Sequence, residues 1–383
     1  MAPLRVRPYS RQTWAEIDLS QIERNVRLIG EFVGPGVELM PIVKAGGYGH
    51  GAVPSADAAM RGGAKVLGVA SLDEAKELYE NAIDCDIAVL GFIEENFQDD
   101  AIRFNFIGNL YREEQIPILE RQARKLGKKA RVHIKIDTGM IRLGVPEEKA
   151  GAFIRRVLES QEIQLEGIFT HCPLSDDPEN SFTVEQFERF MRIVSSLPDL
   201  PEKIKLHAAN SAAILDFPQT HLDLVRPGIL CYGHYPGDGV KREVEVSPAL
   251  ELKCQIIDLK TIQPGTGIGY GHLFSPKKEM LVAVIPIGYA DGYNRLHSFG
   301  GEVLIRGRRC PIVGAVSMDF TMIGVPDDLE VEMQDVVTLI GSDENEEITV
   351  SELARKLSTI PYEIFCLLGD RVYREYLNEP GQD

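Results

Sequence analysis

The feature that most constrains this chain is an alternation of short apolar runs with amphipathic segments, which extends from Trp14 to about Tyr232. Strand-like runs such as WAEIDL, VLGVASL and RVHIKID alternate with helical stretches such as SQIERNVRLIGEFV and EEKAGAFIRRVLES. We count about eight or nine candidate strands with helices between them. Repeated βα units over about 220 residues suit a closed (β/α)8 TIM-type barrel, although a doubly wound open sheet would alternate in the same way.

The pattern of apolar runs and helical segments changes after Gly233. The stretch YPGDGVKREVEVSP is polar and rich in turn formers, as expected of a linker, and the apolar runs beyond it are separated by Pro, Gly and Asp turns. One late helix is predicted in TVSELARKLST, opened by a Thr or Ser cap. We therefore predict a barrel over residues 1–240 and a mainly-β C-terminal domain over 241–383. An association of the residues before about 14 with the β domain stays open.

Composition limits the classes of partner and the cellular compartment that we expect for this protein. Hydrophobic residues make up 44% of the 383 residues, but no apolar run approaches the roughly 20 residues of a membrane helix, so we expect no membrane span. The net charge of -17 argues against a nucleic-acid partner, which would require clustered Lys and Arg. The basic N-terminal stretch MAPLRVRPYSRQTW lacks the apolar core of a secretion signal, so we expect a cytoplasmic protein.

The six cysteines show neither a CxxC pair nor His clusters at metal-ligand spacing. We interpret them as reduced core thiols and predict no metal site.

Several predicted strands end in polar side chains of unusual chemistry. In a barrel, such ends gather on one face, so we expect these residues to converge. Any one of them alone would more often be a solvated or packing residue, and it is their succession that indicates a site. The residues are Lys44, Arg142, His171, Asn210, Ser211 and Arg226.

Lys44 suggests a particular cofactor. A lysine amine that desolvation shifts toward neutrality can attack a carbonyl and form a Schiff base, which points to pyridoxal phosphate. Its phosphate would need hydroxyls, backbone N–H donors and glycines, which NSAA around Ser211 and RPGI around Gly228 can supply. The stretch GTGIGYG is not followed by a helix pattern, so we reject a dinucleotide-binding loop there.

A series of motifs resembles the alanine racemase family in order and spacing. They are VKAGGYGHG, HIKIDTGMIRLG, FTH, HAANSAA, LVRPGI, GYGH, IPIGYADGYNR, VGAVSMD and PYEI. The resemblance extends from about Trp14 to Arg374. It implies a fold-type III pyridoxal phosphate enzyme, a homodimer with shared active sites, and a small amino acid as substrate. The implied activity is the interconversion of L- and D-alanine, which supplies the D-isomer for peptidoglycan.

The same resemblance implies roles for individual residues. Lys44 would hold the cofactor covalently and act as one catalytic base, and Tyr270 would be the opposite base, contributed across the dimer interface. Arg226 would face the pyridine nitrogen, and we assign His171 to the tyrosine side. The full cofactor set is Lys44, Tyr48, His171, Asn210, Ser211, Arg226, Gly228 and Ile229.

The substrate carboxylate would meet Arg142 and the backbone N–H of Met318, with Asp319 beside it. Tyr289 would line the entrance. Lys135 stands where the family often carries a carbamylated lysine that braces the arginine.

These residue types suit racemisation. Inversion of a stereocentre needs one base on each face of the carbon, which a lysine and a tyrosine can supply. An arginine at the pyridine nitrogen can only donate, which gives a weaker electron sink than the carboxylate common in decarboxylases and aminotransferases. A fold-type III decarboxylase and a non-catalytic pyridoxal phosphate carrier are therefore the weaker alternatives.

The chain departs from the family pattern at two places. Gly46 and Gly47 replace a common Asn and Ala, which predicts a looser loop. Gly369 and Asp370 replace a Ser and a Tyr, and an aspartate near a phosphate should repel it, so Asp370 would turn away or point toward substrate. A wider, more polar pocket makes a racemase for serine, for basic amino acids or for a broad range of amino acids the alternative to one for alanine.

Overall fold

The computed structural model describes residues 10–379, so the first nine residues of the N-terminal stretch lie outside it. These described residues divide into two compact units, one formed by 20–248 and the other by 10–19 together with 249–379. The break therefore falls after Pro248, eight residues beyond the predicted boundary at 240. The segment assigned to the second unit at the N-terminal end also extends further than the predicted limit of about 14.

Strands occur throughout both units. Their bounds are β1 (Thr13–Asp18), β2 (Glu38–Leu39), β3 (Val66–Val69), β4 (Asp86–Val89), β5 (Gly108–Leu110), β6 (Ala130–Asp137), β7 (Val145–Pro146), β8 (Ile163–Phe169), β9 (Lys205–His207), β10 (Leu224–Val225), β11 (Leu250–Gln255), β12 (Asp258–Ile262), β13 (Met280–Ile285), β14 (Glu302–Ile305), β15 (Arg308–Pro311), β16 (Thr321–Val325), β17 (Val336–Asp343), β18 (Glu346–Ile348) and β19 (Tyr373–Leu377).

The helices lie mostly in the first unit. Their bounds are α1 (Leu19–Val33), α2 (Lys44–Tyr48), α3 (Ala52–Arg61), α4 (Leu72–Glu80), α5 (Gln98–Arg103), α6 (Gln115–Leu126), α7 (Glu147–Leu158), α8 (Phe182–Ser195), α9 (Ser211–Asp216), α10 (Val350–Leu357) and α11 (Pro361–Cys366). Within residues 10–379, no helix combines the length and the apolar character that crossing a bilayer requires.

The first unit is a closed barrel of parallel strands. Parallel ladders join β10 to β2, β3 to β4, and β5 through β6 and β8 to β9. Single parallel bridges link these ladders, at Ile42–Gly68, Ala88–Ile107 and Asn210–Arg226. Following the pairs from β2 through β3, β4, β5, β6, β8, β9 and β10 returns to β2. This ring confirms the barrel and excludes the open sheet.

The barrel helices form because their apolar residues recur at helical spacing. In α7 the buried residues are Ala150, Phe153, Ile154 and Val157, which place one stripe toward the strands. They share a core cluster with Val132 and Ile134 of β6 and with Phe190 of α8, among others. Packing of this kind, repeated around the ring, fixes where each strand ends and so where the polar strand-end residues lie.

The second unit is built on two sheets. One has the order β15-β14-β17-β11-β1-β19, with β18 paired to β17, and the other has the order β12-β13-β16 with antiparallel pairs. The late helix α10 is confirmed, since the Thr349 hydroxyl accepts a hydrogen bond from the Glu352 N–H at 3.1 Å. A further short helix, α11, begins with Pro361, the position at which proline suits a helix.

The prediction that WAEIDL forms a strand of the barrel was wrong. Strand β1 lies inside the large sheet of the second unit, antiparallel to β11 and parallel to β19. Its partners are more than 230 residues away along the chain, at Leu250–Gln255 and Tyr373–Leu377. Because helix α1 follows β1 directly, the local pattern is the same as that of a βα unit. Only the long-range pairing distinguishes the two.

The interpretation of the cysteines as core thiols holds for four of the six. Cys172, Cys231, Cys254 and Cys310 are buried, whereas Cys366 at the end of α11 is exposed and Cys85 is partly exposed. All six are free thiols.

Trp14 in β1 tests this placement. The side chain is fully buried, so we expect Trp14→Ala to lower the free energy of unfolding by about 3–5 kcal/mol. Tyr373→Ala is the matched control, since Tyr373 pairs with Trp14 in the parallel ladder but is 41% exposed, and it should cost about 1 kcal/mol or less. Urea unfolding followed by circular dichroism measures both. Equal losses would contradict a central position for β1.

Candidate active site

Lys44 stands at the start of an unusual turn. The preceding strand segment ends where the Val43 N–H donates to the Gly68 carbonyl at 3.0 Å. The next four residues, from Ala45 to Tyr48, all have positive φ, between 52° and 61°, so α2 is a left-handed helical turn. Left-handed backbone costs about 1–2 kcal/mol for each residue with a Cβ and little for glycine. Gly46 and Gly47 therefore relieve strain here, which is a better account of them than a loosened loop.

A small polar corner of the barrel mouth is formed by the hydroxyls of Tyr48 and Ser211 and the backbone of Gly228. The Gly228 N–H donates to the Ser211 hydroxyl at 2.8 Å, and both Tyr48 and Ser211 are buried. A Cβ built on Gly228 would lie 2.6 Å from the Tyr48 hydroxyl oxygen, so only glycine leaves this corner open. The next residue, Ile229, begins a 3-10 turn that ends at Tyr232. Tyr232 in turn packs against the Tyr48 ring, with centroids 5.0 Å apart.

Arg226 is a buried, positively charged residue that contacts the ends of neighbouring barrel strands. Its guanidinium donates to the carbonyls of Thr170 at 2.8 Å and Ala208 at 2.9 Å, and to Nδ1 of His207 at 2.8 Å. Burial lowers the pKa of Arg226 to about 10, so it remains charged at neutral pH. These bonds use three of its five N–H groups and leave two for a ligand.

A pair of buried histidines behind Arg226 was not predicted. His207 accepts from Arg226 at Nδ1, and its Nε2 lies 3.1 Å from Nδ1 of His133. Because arginine can only donate, His207 must carry its proton on Nε2 and donate it to His133. Burial, with Arg226 contributing, lowers the pKa of both histidines, so both are neutral. The sequence offered one signal for this pair: both histidines lie on predicted strands, now β6 and β9, in which alternate residues point into the barrel.

Lys135 is a buried amine that has no hydrogen-bond partner among residues 10–379. It is 3% exposed, and its Nζ lies 5.1 Å from the centroid of the Phe169 ring. Burial is the largest cause that lowers its pKa to about 7, followed by the charges of Arg226 and Arg142. At neutral pH a substantial fraction of Lys135 is therefore the free, nucleophilic amine.

The structure brings the charged strand ends together around His171. Burial lowers the pKa of His171 well below its usual value, and the cations that lower it further are Arg226, Lys135, Arg142 and Lys44, in that order. Its Nδ1 lies 3.5 Å from the Arg226 guanidinium. His171 is thus a neutral imidazole that faces Arg226, Arg142, Lys44 and the partly neutral Lys135.

The loop before Arg142 is shaped by one carboxylate. Oδ1 of Asp137, at the end of β6, accepts from three successive N–H groups, those of Gly139, Met140 and Ile141, at 2.9–3.1 Å. Arg142 follows directly and is exposed.

The side chain of Asn210 caps a helix and braces a loop. Its side-chain oxygen caps α9 by accepting from the Ala213 N–H at 3.0 Å, and it also accepts from the Ser175 hydroxyl. Its amide nitrogen donates to the Cys172 carbonyl. The amide therefore shapes the loop that presents Ser211, and a cofactor contact of Asn210 stays a prediction.

The other predicted residues belong to the second unit. Tyr270 is 74% exposed, and Tyr289 and Met318 are also exposed. Asp370 is exposed as well, so its carboxylate is solvated where it lies. The Asp319 carboxylate forms an ion pair with Arg371 at 2.6 Å.

A buried carboxylate that the sequence did not single out holds these loops. Asp291 is fully buried, accepts from the Gly288 N–H at 2.8 Å, and pairs with Arg11 at 2.6 Å and Arg371 at 3.2 Å. Arg11 also donates to the backbone carbonyl of Asp319 at 3.0 Å. The cluster ties the loop of Tyr289 to the loop of Met318.

Comparison with known proteins gives the family. Residues 17–236 match the family model for alanine racemase, N-terminal domain, and residues 249–376 match that for alanine racemase, C-terminal domain. The chain belongs to the alanine racemase family. A relative named alanine racemase from Halothermothrix orenii is 40% identical over 373 residues, 97% of this chain and 98% of that protein. Another, from Desulforamulus reducens, is 42% identical and covers 95% of this chain and 98% of its own.

Solved structures of the alanine racemase family share the fold. A crystal structure of alanine racemase from E. faecalis has a TM-score of 0.91 and 38% identity, over 97% of this chain and 99% of that one. The structure of alanine racemase from Bartonella henselae with covalently bound pyridoxal phosphate has a TM-score of 0.87 and 30% identity, over 96% and 99%. Both agree with a barrel followed by a β domain.

Lys135 yields a prediction for stability. Its pKa is about 7 in the folded protein and 10.5 in its ordinary state, so between these values the unfolded chain binds a proton that the folded one does not. The free energy of unfolding should therefore rise with pH in this window, by up to about 1.4 kcal/mol per pH unit, and below pH 7 the cost of burying the charge is fully present.

Lys135→Met removes this contribution, so the difference in unfolding free energy between the two proteins should change with pH from 7 upward. Urea unfolding in bicarbonate-free buffers measures it. A difference that does not vary with pH would contradict the buried, unpaired amine.

Proposed function

We propose that this protein is a pyridoxal phosphate-dependent racemase that interconverts L- and D-alanine. The observation that carries the proposal is the cluster of Lys44, Arg142, Lys135 and Arg226 around His171 at the carboxyl ends of the barrel strands. Its support is the family membership, with relatives named alanine racemase that are about 40% identical over nearly the whole chain.

The residues present fit the cofactor. Lys44 supplies an amine at the strand end, and the corner of Tyr48, Ser211 and Gly228 supplies hydroxyls and an opening that any side chain at 228 would close. The N–H groups of Arg226 that no acceptor in the described part of the chain uses can face the pyridine nitrogen. Bound pyridoxal phosphate supplies the electron-withdrawing ring that acidifies the hydrogen on Cα of an amino acid.

Two bases on opposite faces of Cα then perform the inversion. The amine of Lys44 takes or returns the proton on one face, and the phenolic oxygen of Tyr270 does so on the other. His171, which is neutral, can accept from Arg226 at Nδ1 and donate from Nε2, so it can stabilise the phenolate form of Tyr270. Arg226 donates and never accepts, which disfavours the deep electron sink that decarboxylation would use.

The exposure of Tyr270 supports a homodimer with shared sites. A catalytic phenol needs a site closed to water, yet Tyr270 is 74% exposed in a single chain. In the proposed dimer, Tyr270 of each chain completes the site of the other, and the twofold symmetry forms two equal sites. We place the enzyme in the cytoplasm, where it would supply D-alanine for peptidoglycan.

Arg142 and Lys135 would recognise the substrate carboxylate together. Arg142 is exposed beside the site, and the free amine of Lys135 is a suitable nucleophile for carbon dioxide. A carbamate on Lys135 would replace one of the clustered positive charges with a negative one. It would then orient the Arg142 guanidinium toward the substrate. Met318, Asp319 and Tyr289 would complete the carboxylate side and the entrance from the second chain.

Substrate choice is the direct test of the function. We expect the cofactor-loaded protein to racemise alanine faster than serine, lysine or arginine, and Lys44→Ala to abolish turnover of all four. Circular dichroism of the amino acids under steady-state conditions measures both directions. Release of carbon dioxide in place of inversion would contradict the proposal.

Asp370 gives the matched variants for substrate range. Asp370→Tyr restores the bulk that the family commonly has, so serine turnover should fall relative to alanine turnover, whereas Asp370→Asn should leave the ratio nearly unchanged. A preference for serine or a basic amino acid in the wild type, removed by Asp370→Tyr, would favour the broader racemase over an alanine racemase.

A further inference from the structure

A carboxylate from the neighbouring βα unit reaches the backbone beside Lys44. Glu74 is the third residue of α4, and its Oε1 accepts a hydrogen bond from the Ala45 N–H at 2.8 Å. Its Oε2 accepts from the N–H groups of Ala70 at 2.7 Å and Ser71 at 3.2 Å. One side chain thus joins the start of α4 to the first residue after Lys44.

The two oxygens of Glu74 have separate tasks. The capping box at the start of α4 needs only Oε2, with the Ser71 hydroxyl accepting from the Glu74 N–H at 3.3 Å in return. Oε1 is directed away from the helix, to Ala45. Helix capping therefore explains only the hydrogen bonds that Oε2 accepts. The hydrogen bond from the Ala45 N–H to Oε1 requires another explanation.

Ala45 is the point at which the left-handed turn begins. Within the turn, the Gly47 N–H donates back to the Val43 carbonyl at 2.9 Å and the Gly49 N–H donates to the Ala45 carbonyl at 3.0 Å. The Ala45 N–H precedes these bonds and is satisfied by Glu74. With φ at 52°, Ala45 is a non-glycine residue in a costly conformation, which persists only where the surroundings fix it.

We propose that Glu74 is a positioning residue for Lys44. By holding the Ala45 N–H, it fixes the switch from extended strand to left-handed turn at the residue whose amine must reach the cofactor. A charge-assisted bond to a carboxylate suits this task, because it is stronger than a bond between neutral groups. The inference rests on the proposed function, since it concerns the orientation of the Lys44 side chain toward pyridoxal phosphate.

The chain offers a matched control for the test. Glu74→Ala removes the bond to Ala45 and the cap, whereas Ser71→Ala weakens the cap and leaves the bond to Ala45 in place. Ser71→Ala should lose the modest thermal stability of one cap, and Glu74→Ala should lose more, because it also loses the charge-assisted bond to the Ala45 N–H. Glu74→Gln keeps one oxygen that can accept from Ala45 but cannot serve both sites, so its behaviour should lie between the other two.

The readout is covalent capture of pyridoxal phosphate by Lys44. Apo protein is mixed with the cofactor, the linkage is trapped at timed intervals with borohydride, and peptide mass mapping gives the labelled fraction at Lys44. We expect capture and kcat for alanine to fall by about tenfold or more in Glu74→Ala, because small misplacements of a reacting group are costly. Ser71→Ala should stay within about twofold of the wild type.

Equal capture rates in Glu74→Ala and Ser71→Ala would overturn the proposal, whatever their activities. If Glu74→Ala does not fold, Glu74→Met decides alone, because methionine keeps the length of the side chain but has no oxygen that can accept from the Ala45 N–H. Capture slower than in Ser71→Ala is then the supporting result, and equal capture is the overturning one. Failure of the wild type to label Lys44 would overturn the proposed function together with this inference. Normal labelling in the wild type with no effect of Glu74 would overturn this inference only.

Discussion

The site depends on one buried charge that no carboxylate neutralises. Arg226 is 4% exposed, and among residues 10–379 its partners are two carbonyls and two histidines, with no acid within ion-pair distance. Burial of an unpaired cation is expensive unless dipoles take the place of water, and the carbonyls of Thr170 and Ala208 do so. Those partners follow β8 and β9, and Arg226 follows β10. The arginine therefore fixes three strand ends as well as supplying a charge.

The protonation of the surrounding groups follows from that charge and from burial. Both lower the pKa of Lys135 to about 7 and keep His171, His207 and His133 neutral. A neutral His207 can accept from Arg226, and a partly neutral Lys135 can react. The cationic cluster is thus compatible with a folded barrel because Lys135 is partly neutral and the three neighbouring histidines carry no charge. Anionic ligands, such as a phosphate or a carboxylate, would be attracted to the charge that remains.

The sequence was sufficient to predict residues whose place follows from a strand end or a helix cap. Lys44, His171 and Arg226 close apolar runs, and the barrel brings such ends to one face. Thr349 caps its helix through a contact three residues away. Contacts between distant segments were not predictable in this way. The pairing of β1 with β11 and β19, the bond from His207 to His133, and the reach of Glu74 to Ala45 each depend on how separate elements pack. Asp291 was missed for the same reason, because its partners Arg11 and Arg371 lie near opposite ends of the chain.

The central claim is that the two bases of one site come from two copies of the chain. Mixing inactive Lys44→Ala with inactive Tyr270→Phe, after exchange of subunits, tests it most directly. If the bases belong to different chains, each mixed dimer has one site with both bases intact, and racemisation should recover to about a quarter of the wild-type rate at equal mixing. If both bases came from the same chain, every site in every dimer would lack one of them, and the mixture would stay inactive.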